Sequence, residues 1–151
     1  NVTSNTVFFS RQWKAMLGYA EDEVSNTLEE WDSRVHPDDK DACYADLNRH
    51  FSGETPFYQN EHRVRCKDGS YKWILDRGKV IEWAEDGQPL RVIGTHTDIS
   101  DRKMAEQRIR EQAAMLDIAS DAIFVRDLEH RILYWNRGAE QLYGWRAEDV
   151  L

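Results

Sequence analysis

PLRVIGTHTDISDRKMAEQRIREQAAMLDIA, residues 89–119, passes from a strand composition to a helix composition with almost no loop between them. Leu90, Val92, Ile93 and the run Thr95 to Ile99 supply the β-branched and apolar side chains of a covered strand. Ser100 offers a helix N-cap, and Asp101 places a negative charge in the first turn, where the helix dipole favours it. From Arg102 to Asp117 there is neither Gly nor Pro. So short a joint fixes the direction of the helix relative to the sheet, and disturbing one must move the other.

The 151 residues are 40% hydrophobic and 11% aromatic, enough to bury one core and part of a second. A net charge of −8 argues against nucleic acid or an anionic membrane as the main partner, because no basic footprint exists. No apolar run approaches the ~20 residues that a membrane-spanning helix needs, and no signal-peptide pattern opens the sequence. Asn1-Val2-Thr3 fits a glycosylation acceptor, a pattern short enough to arise by chance. Cys43 and Cys66 lack CxxC spacing and read as reduced thiols. The expected location is the cytoplasm.

Outward from the joint, Asp68-Gly69 and Asp86-Gly87 are hairpin turns that divide Phe57–Cys66, Tyr71–Trp83 and Leu90–Ile99 into a three-stranded antiparallel meander. Gly78, inside the long middle strand, predicts a bulge or a close approach. Before the meander, Thr6-Val7-Phe8-Phe9 reads as a short strand, and Ser10 caps a helix carrying Trp13, Met16 and Leu17 up to Gly18. An acidic helical stretch is expected from near Glu21 to Trp31. A third helix starts at His36-Pro37-Asp38-Asp39 and ends at Gly53, with Ala42, Cys43, Leu47 and Phe51 on its apolar face. These helices are expected to cover one face of the sheet.

A shift of 126 residues lays Asn1–Val24 on Asp127–Val150 without a gap. Val7-Phe8-Phe9-Ser10-Arg11 then meets Leu133-Tyr134-Trp135-Asn136-Arg137, and Met16-Leu17-Gly18-Tyr19 meets Leu142-Tyr143-Gly144-Trp145. Ahead of the second copy stands a strand pattern, Ala122 to Arg126, that the first copy lacks. The expectation is one module with its first strand missing, a connecting helix, and the opening of a second module, cut from a longer protein. The open sheet edge suggests a homodimer in which residues 123–134 of a neighbouring chain supply the missing strand.

The order strand, strand, three short helices, three-stranded meander resembles the PAS domain. The matching motifs are Met16-Leu17-Gly18-Tyr19 with Glu23-Val24, His36-Pro37-Asp38-Asp39, Lys67-Asp68-Gly69-Ser70-Tyr71-Lys72-Trp73, Asp76-Arg77-Gly78, and Gly94-Thr95-His96-Thr97-Asp98-Ile99-Ser100-Asp101-Arg102-Lys103. The last resembles the PAC end of the domain, and Asp121 to Val125 with Tyr134-Trp135-Asn136 resembles the start of another. The resemblance implies an α+β PAS fold: an antiparallel five-stranded sheet, its first strand truncated here, with short helices on one face. Residues 1–100 would form a PAS domain, 101–120 a linker helix or coiled coil, and 121–151 the N-terminal part of a second PAS domain. It also implies sensing or dimerisation upstream of a histidine kinase or a cyclic-dinucleotide enzyme, with no catalytic residue in this chain.

The photo-adduct Cys of flavin-binding relatives falls on Trp31, and the haem-ligating His of others falls near Ala42, so no cofactor is expected. His50 sits at the helix end, where a cation suits the dipole. His36, Asp38, Asp39, Asp41 and Cys43 point around their helix and read as capping and solvation, with no metal. Strand parity turns Tyr58, Asn60, His62, Val64 and Cys66 toward the helices, and the family's ligand-contacting position falls on His96. Asn60, His62, Val64 and His96 are therefore the candidate pocket, against the plainer reading of hydrogen-bonded core side chains. Asp98, Ile99 and Ser100 form the signal joint, with Asp98 bonded to backbone or to an Arg. Ala105, Ile109, Gln112, Leu116 and Ala119 recur as an a/d seam for dimerisation, unless the helix packs on its own sheet. The readings in play are a sensory and dimerising module, a small-molecule or flavin/haem receptor, and a structural spacer.

Overall fold

The computed structural model describes residues 1–118 and 121–151, which divide into two compact units, Asn1–Asp101 and Arg102–Leu151. The first unit contains α1 (Arg11–Met16), α2 (Leu28–Asp32), α3 (Pro37–Phe51), β1 (Tyr58–Arg65), β2 (Tyr71–Trp83), β3 (Pro89–Asp98) and the first residues of α4 (Ser100–Ile118). The strands form an antiparallel sheet in the order β1-β2-β3. Its turns follow their sequence: Gly69 and Gly87 take positive φ, while the Asp68 and Asp86 carboxylates accept from the N–H two residues on.

Helices α1 to α3 lie on one face of this sheet. Ser10 Oγ accepts from Trp13 N and starts α1. His36 Nδ1 accepts from Asp38 N, with Pro37 at the first helical position of α3. Phe9, Trp13, Leu17, Val24, Trp31, Val35 and Cys43 pack on Val64, Cys66 and Ile74 to make the core. Phe9 and Trp13 stack with ring centroids 4.2 Å apart.

Two local expectations change. The helix expected from Glu21 shrinks to Leu28–Asp32. The ammonium of the buried Lys14 donates to the carbonyls of Glu21 (2.6 Å) and Val24 (2.8 Å), which a helix would need for itself. Ser25 Oγ bonds the Glu30 carboxylate, in keeping with the preference of such side chains for local bonds over helix interior. The strand expected at Thr6–Phe9 reduces to a single bridge between Thr6 and Thr27. Val7 N donates to Asn26 O, and Leu28 N to Asn5 O, so this segment is tied to the loop before α2 and leaves a three-stranded sheet.

The second unit pairs β4 (Phe124–Arg126) with β5 (Ile132–Trp135) and continues into α5 (Arg137–Tyr143) and α6 (Ala147–Val150). Its Asn136 caps α5 through Ala139 N, at the place that Ser10 holds for α1. Gly18 and Gly144 both end their helices at positive φ.

Candidate functional site

On β1 the helix-facing positions are Tyr58, Asn60, His62 and Val64; on β2 they are Ile74, Asp76, Gly78 and Val80. Register places Asp76 between Asn60 on one side and His96 on the other. Trp13 Nε1 donates to His96 Nδ1 at 2.9 Å. An indole nitrogen only donates, so Nδ1 carries no proton, and Nε2–H points to Asp76 Oδ2 at 3.2 Å. Tyr58 donates its hydroxyl to Asp76 Oδ1, also at 3.2 Å. A carboxylate only 5% exposed is thus held by a neutral imidazole and a phenol. Burial and the Asp76 charge push the Tyr58 hydroxyl far above its ordinary value, which keeps it a donor.

His62 belongs to the same layer. Asn60 Nδ2 donates to Asp46, which orients the amide, and Asn60 Oδ1 accepts from Cys43 Sγ and faces His62 Nδ1 at 3.1 Å. The His62 proton is therefore on Nδ1, and its Nε2 has no hydrogen-bond partner among the described residues. Burial lowers His62 to about 4, against the raising effect of Asp76, so the ring is neutral near pH 7. Its ring stands at right angles to that of Trp31, with centroids 5.7 Å apart, and lies 5.8 Å from His96. Burial, with Asp76, Asp39 and Asp46 nearby, raises Cys43 to about 12. It is a thiol, not a nucleophile.

The joint is built as firmly. Ile99 is buried and donates its N–H to Trp73 O at 2.9 Å, while Ser100 Oγ accepts from Trp73 N at 3.1 Å. Asp98 Oδ1 accepts from Ser100 N, and Oδ2 from Lys72 Nζ at 2.7 Å. Asp98 thus bonds backbone, one of the two partners expected for it, and its charged partner is a lysine rather than an arginine. Asp98 Oδ1 takes the first N–H of α4, while Ser100 Oγ bonds the backbone of β2. Burial pushes the Asp98 carboxyl up, but Lys72 and Ser100 outweigh it and hold the group below its ordinary value. The root of α4 is thereby fastened to the middle strand.

A PAS fold family profile matches residues 6–96, and a second PAS fold profile matches 110–151. The chain belongs to the PAS fold family. It is 32% identical over 101 residues to the hybrid signal transduction histidine kinase A of Dictyostelium discoideum, covering 65% of this chain and 5% of that protein. A sensory box histidine kinase/response regulator from Burkholderia thailandensis superposes with a TM-score of 0.63 at 32% identity, covering 72% of this chain and 79% of that one. The N-terminal domain of a diguanylate cyclase with PAS/PAC sensor from Marinobacter aquaeolei gives 0.58 at 25% identity, over 68% and 93%. This PAS chain therefore spans a small part of the curated kinase it matches.

Within the PAS layer, the residues expected from parity do come together: His62 meets His96 and Asn60, and Val64 is buried beside them. Three contributors were missed. Asp76 stands in the sequence only as part of a motif, although its parity with Ile74 and Val80 marks it as inward. Trp13 and Tyr58 were assigned to the core without their polar atoms. His50 departs from its expected role. It is 3% exposed, its Nε2 accepts from Val80 N at 3.0 Å and its Nδ1 donates to Thr55 O at 2.8 Å. It is a neutral brace between α3 and β2, with neither nitrogen left for a metal. Asp39 forms a paired contact with Arg63, at 2.7 and 2.9 Å, and does not join a ligand cluster.

On α4, Ala105, Ile109, Gln112 and Leu116 are exposed, Ile109 at 66% and Leu116 at 41%. Ala119 lies outside the described residues. Arg102 pairs with Glu106, and Gln107 with Glu111, one turn apart. No helix among the described residues is long and apolar enough to cross a membrane.

Proposed function

We propose that this PAS chain is a sensory and dimerising module of a cytoplasmic multi-domain signalling protein, with a protein-histidine kinase of a two-component system as its output. In this reading residues 1–100 sense, 101–120 connect, and 121–151 open a second PAS domain. The carrying observation is the joint. Ile99 and Ser100 bond the backbone of Trp73 on β2, and Asp98 bonds Lys72. A change in the polar layer beneath β1–β3 moves the sheet and must then turn the root of α4. Two α4 helices meeting along Ala105, Ile109, Gln112, Leu116 and Ala119 would carry that rotation between subunits. Sheet order leaves β3 at an edge, where residues 123–134 of a second chain would add a strand. A diguanylate cyclase output fits the same lever.

Inserting one residue after Gln112 of the full-length protein turns everything downstream by ~100°, whereas seven nearly restore the face. The expected result is output disrupted by one and retained with seven; indifference to the number rules out a rigid lever.

A second reading, a receptor for a small molecule, is favoured by His62 Nε2 and Trp31 Nε1, both buried without a partner among the described residues. A metabolite and cofactor screen should then raise the thermal midpoint, an effect absent from His62→Leu. Pocket variants that leave output unchanged, while α4 variants alter it, would favour a spacer.

A further inference from the structure

Asn136 is 1% exposed, and its amide uses every hydrogen-bonding position it has. Oδ1 accepts from Ala139 N at 2.9 Å and from Ile123 N at 2.8 Å. Nδ2 donates to Leu116 O at 2.9 Å and to Asp121 O at 3.0 Å. Exchanging the oxygen and nitrogen would turn donors on donors and acceptors on acceptors, so the orientation is unique. Its backbone adds two bonds, to Ile123 O and from Glu140 N.

Capping α5 needs only an acceptor. Ser10 shows this, since it starts α1 by accepting from Trp13 N through a single hydroxyl. The amide of Asn136 does more, and what it adds is specific. Leu116 O is one of the last four carbonyls of α4, which have no partner inside a helix that ends at Ile118. Asn136 takes that carbonyl, the carbonyl of Asp121, the first N–H before β4 and the N-terminus of α5 into one buried knot.

We propose that Asn136 is a positioning residue that fixes the outgoing end of α4 to the module that follows, so that movement of the helix is delivered to β4, β5 and α5. Its signalling role rests on the lever reading above; its structural role does not. Asn136→Asp keeps both acceptor contacts and sets lone pairs against Leu116 O and Asp121 O. Asn136→Ser keeps the cap alone, as Ser10 does.

Hydrogen exchange on the 151-residue chain reads the clamp. Amides of residues 113–118 should exchange about fivefold faster or more in at least one variant, while those of 138–143 stay within about twofold. Exchange at 113–118 that rises no more than at 138–143 in both variants would overturn the clamp. Output of the full-length protein reads the signalling role through a cycle with Asp98→Asn. That substitution should alter output in the parent and have no further effect with Asn136→Asp present. An equal effect in both backgrounds would remove Asn136 from the path, whereas a silent Asp98→Asn in the parent would defeat the lever itself.

Discussion

Gly78 stands opposite Gly94 across the β2–β3 ladder, and the phenol ring of Tyr58 crosses both. A Cβ on Gly78 would lie 2.4 Å from Tyr58 Cε1, and one on Gly94 2.9 Å from both Tyr58 Oη and the Arg77 carbonyl. The close approach expected at Gly78 is thus a ring laid across the strand; the ladder's irregularity falls further on, between Val80 and Glu82. The bare backbone lets Tyr58 lie flat enough to reach Asp76.

Gly78→Ala should therefore destabilise the domain by about 2 kcal/mol through overpacking. In a Tyr58→Leu background the cost should shrink, because the obstacle is a side chain. Gly94→Ala should stay costly there, since the Arg77 carbonyl does not move. Urea midpoints of the five variants and the parent decide it.

His62 makes stability depend on pH. Its folded value, about 4, lies below the unfolded value, so the unfolded chain takes up a proton that the folded chain refuses. Stability is complete above about pH 6.5 and falls as the pH drops toward the folded value, by about 2 kcal/mol at pH 5 from this residue. His62→Leu should flatten that part of the curve between pH 7.5 and 5. An equal loss in both proteins would assign the slope to other groups.

Asp98 has the same sign by a different cause. Lys72 and Ser100 hold its carboxyl low, so the joint keeps its full stabilisation above the unfolded carboxylate value and loses it as acid titrates the folded group. Lys72→Met should raise the Asp98 midpoint seen in a carboxyl NMR titration. It should also move the loss of α4 root protection to higher pH. A midpoint unchanged by Lys72→Met would show that the Ser100 N–H alone sets it.

Ile109 tests the seam. Placed on the exposed face of α4, Ile109→Glu sets two like charges against each other in a dimer. Sedimentation should show the parent chain as a dimer and the variant weakened by about tenfold or more. A parent that stays monomeric at high concentration removes both the seam and the strand exchange.

Much of this architecture was legible because its signals are local. Asp68-Gly69 and Asp86-Gly87 set the meander, and strand parity then turned Asn60, His62 and Val64 inward. The joint at Asp98–Ser100 was readable from composition alone, though the lysine opposite was not, because β2 and β3 register decides it. The failures have distant causes. The helix expected at Glu21 was lost to Lys14, which no periodicity within residues 21–27 reveals. The strand expected at Thr6 was lost to the loop at Asn26. The role of Asp76 is not legible locally, because an acid in a strand looks like surface until Tyr58 and His96 satisfy it from other strands.

Lys14 has one more consequence. By gripping the main chain at Glu21 and Val24 in preference to their side chains, it dictates a path without caring which letters spell it. Substitutions at Glu21 therefore leave this grip intact, whereas losing the ammonium of Lys14 from α1 releases both carbonyls at once.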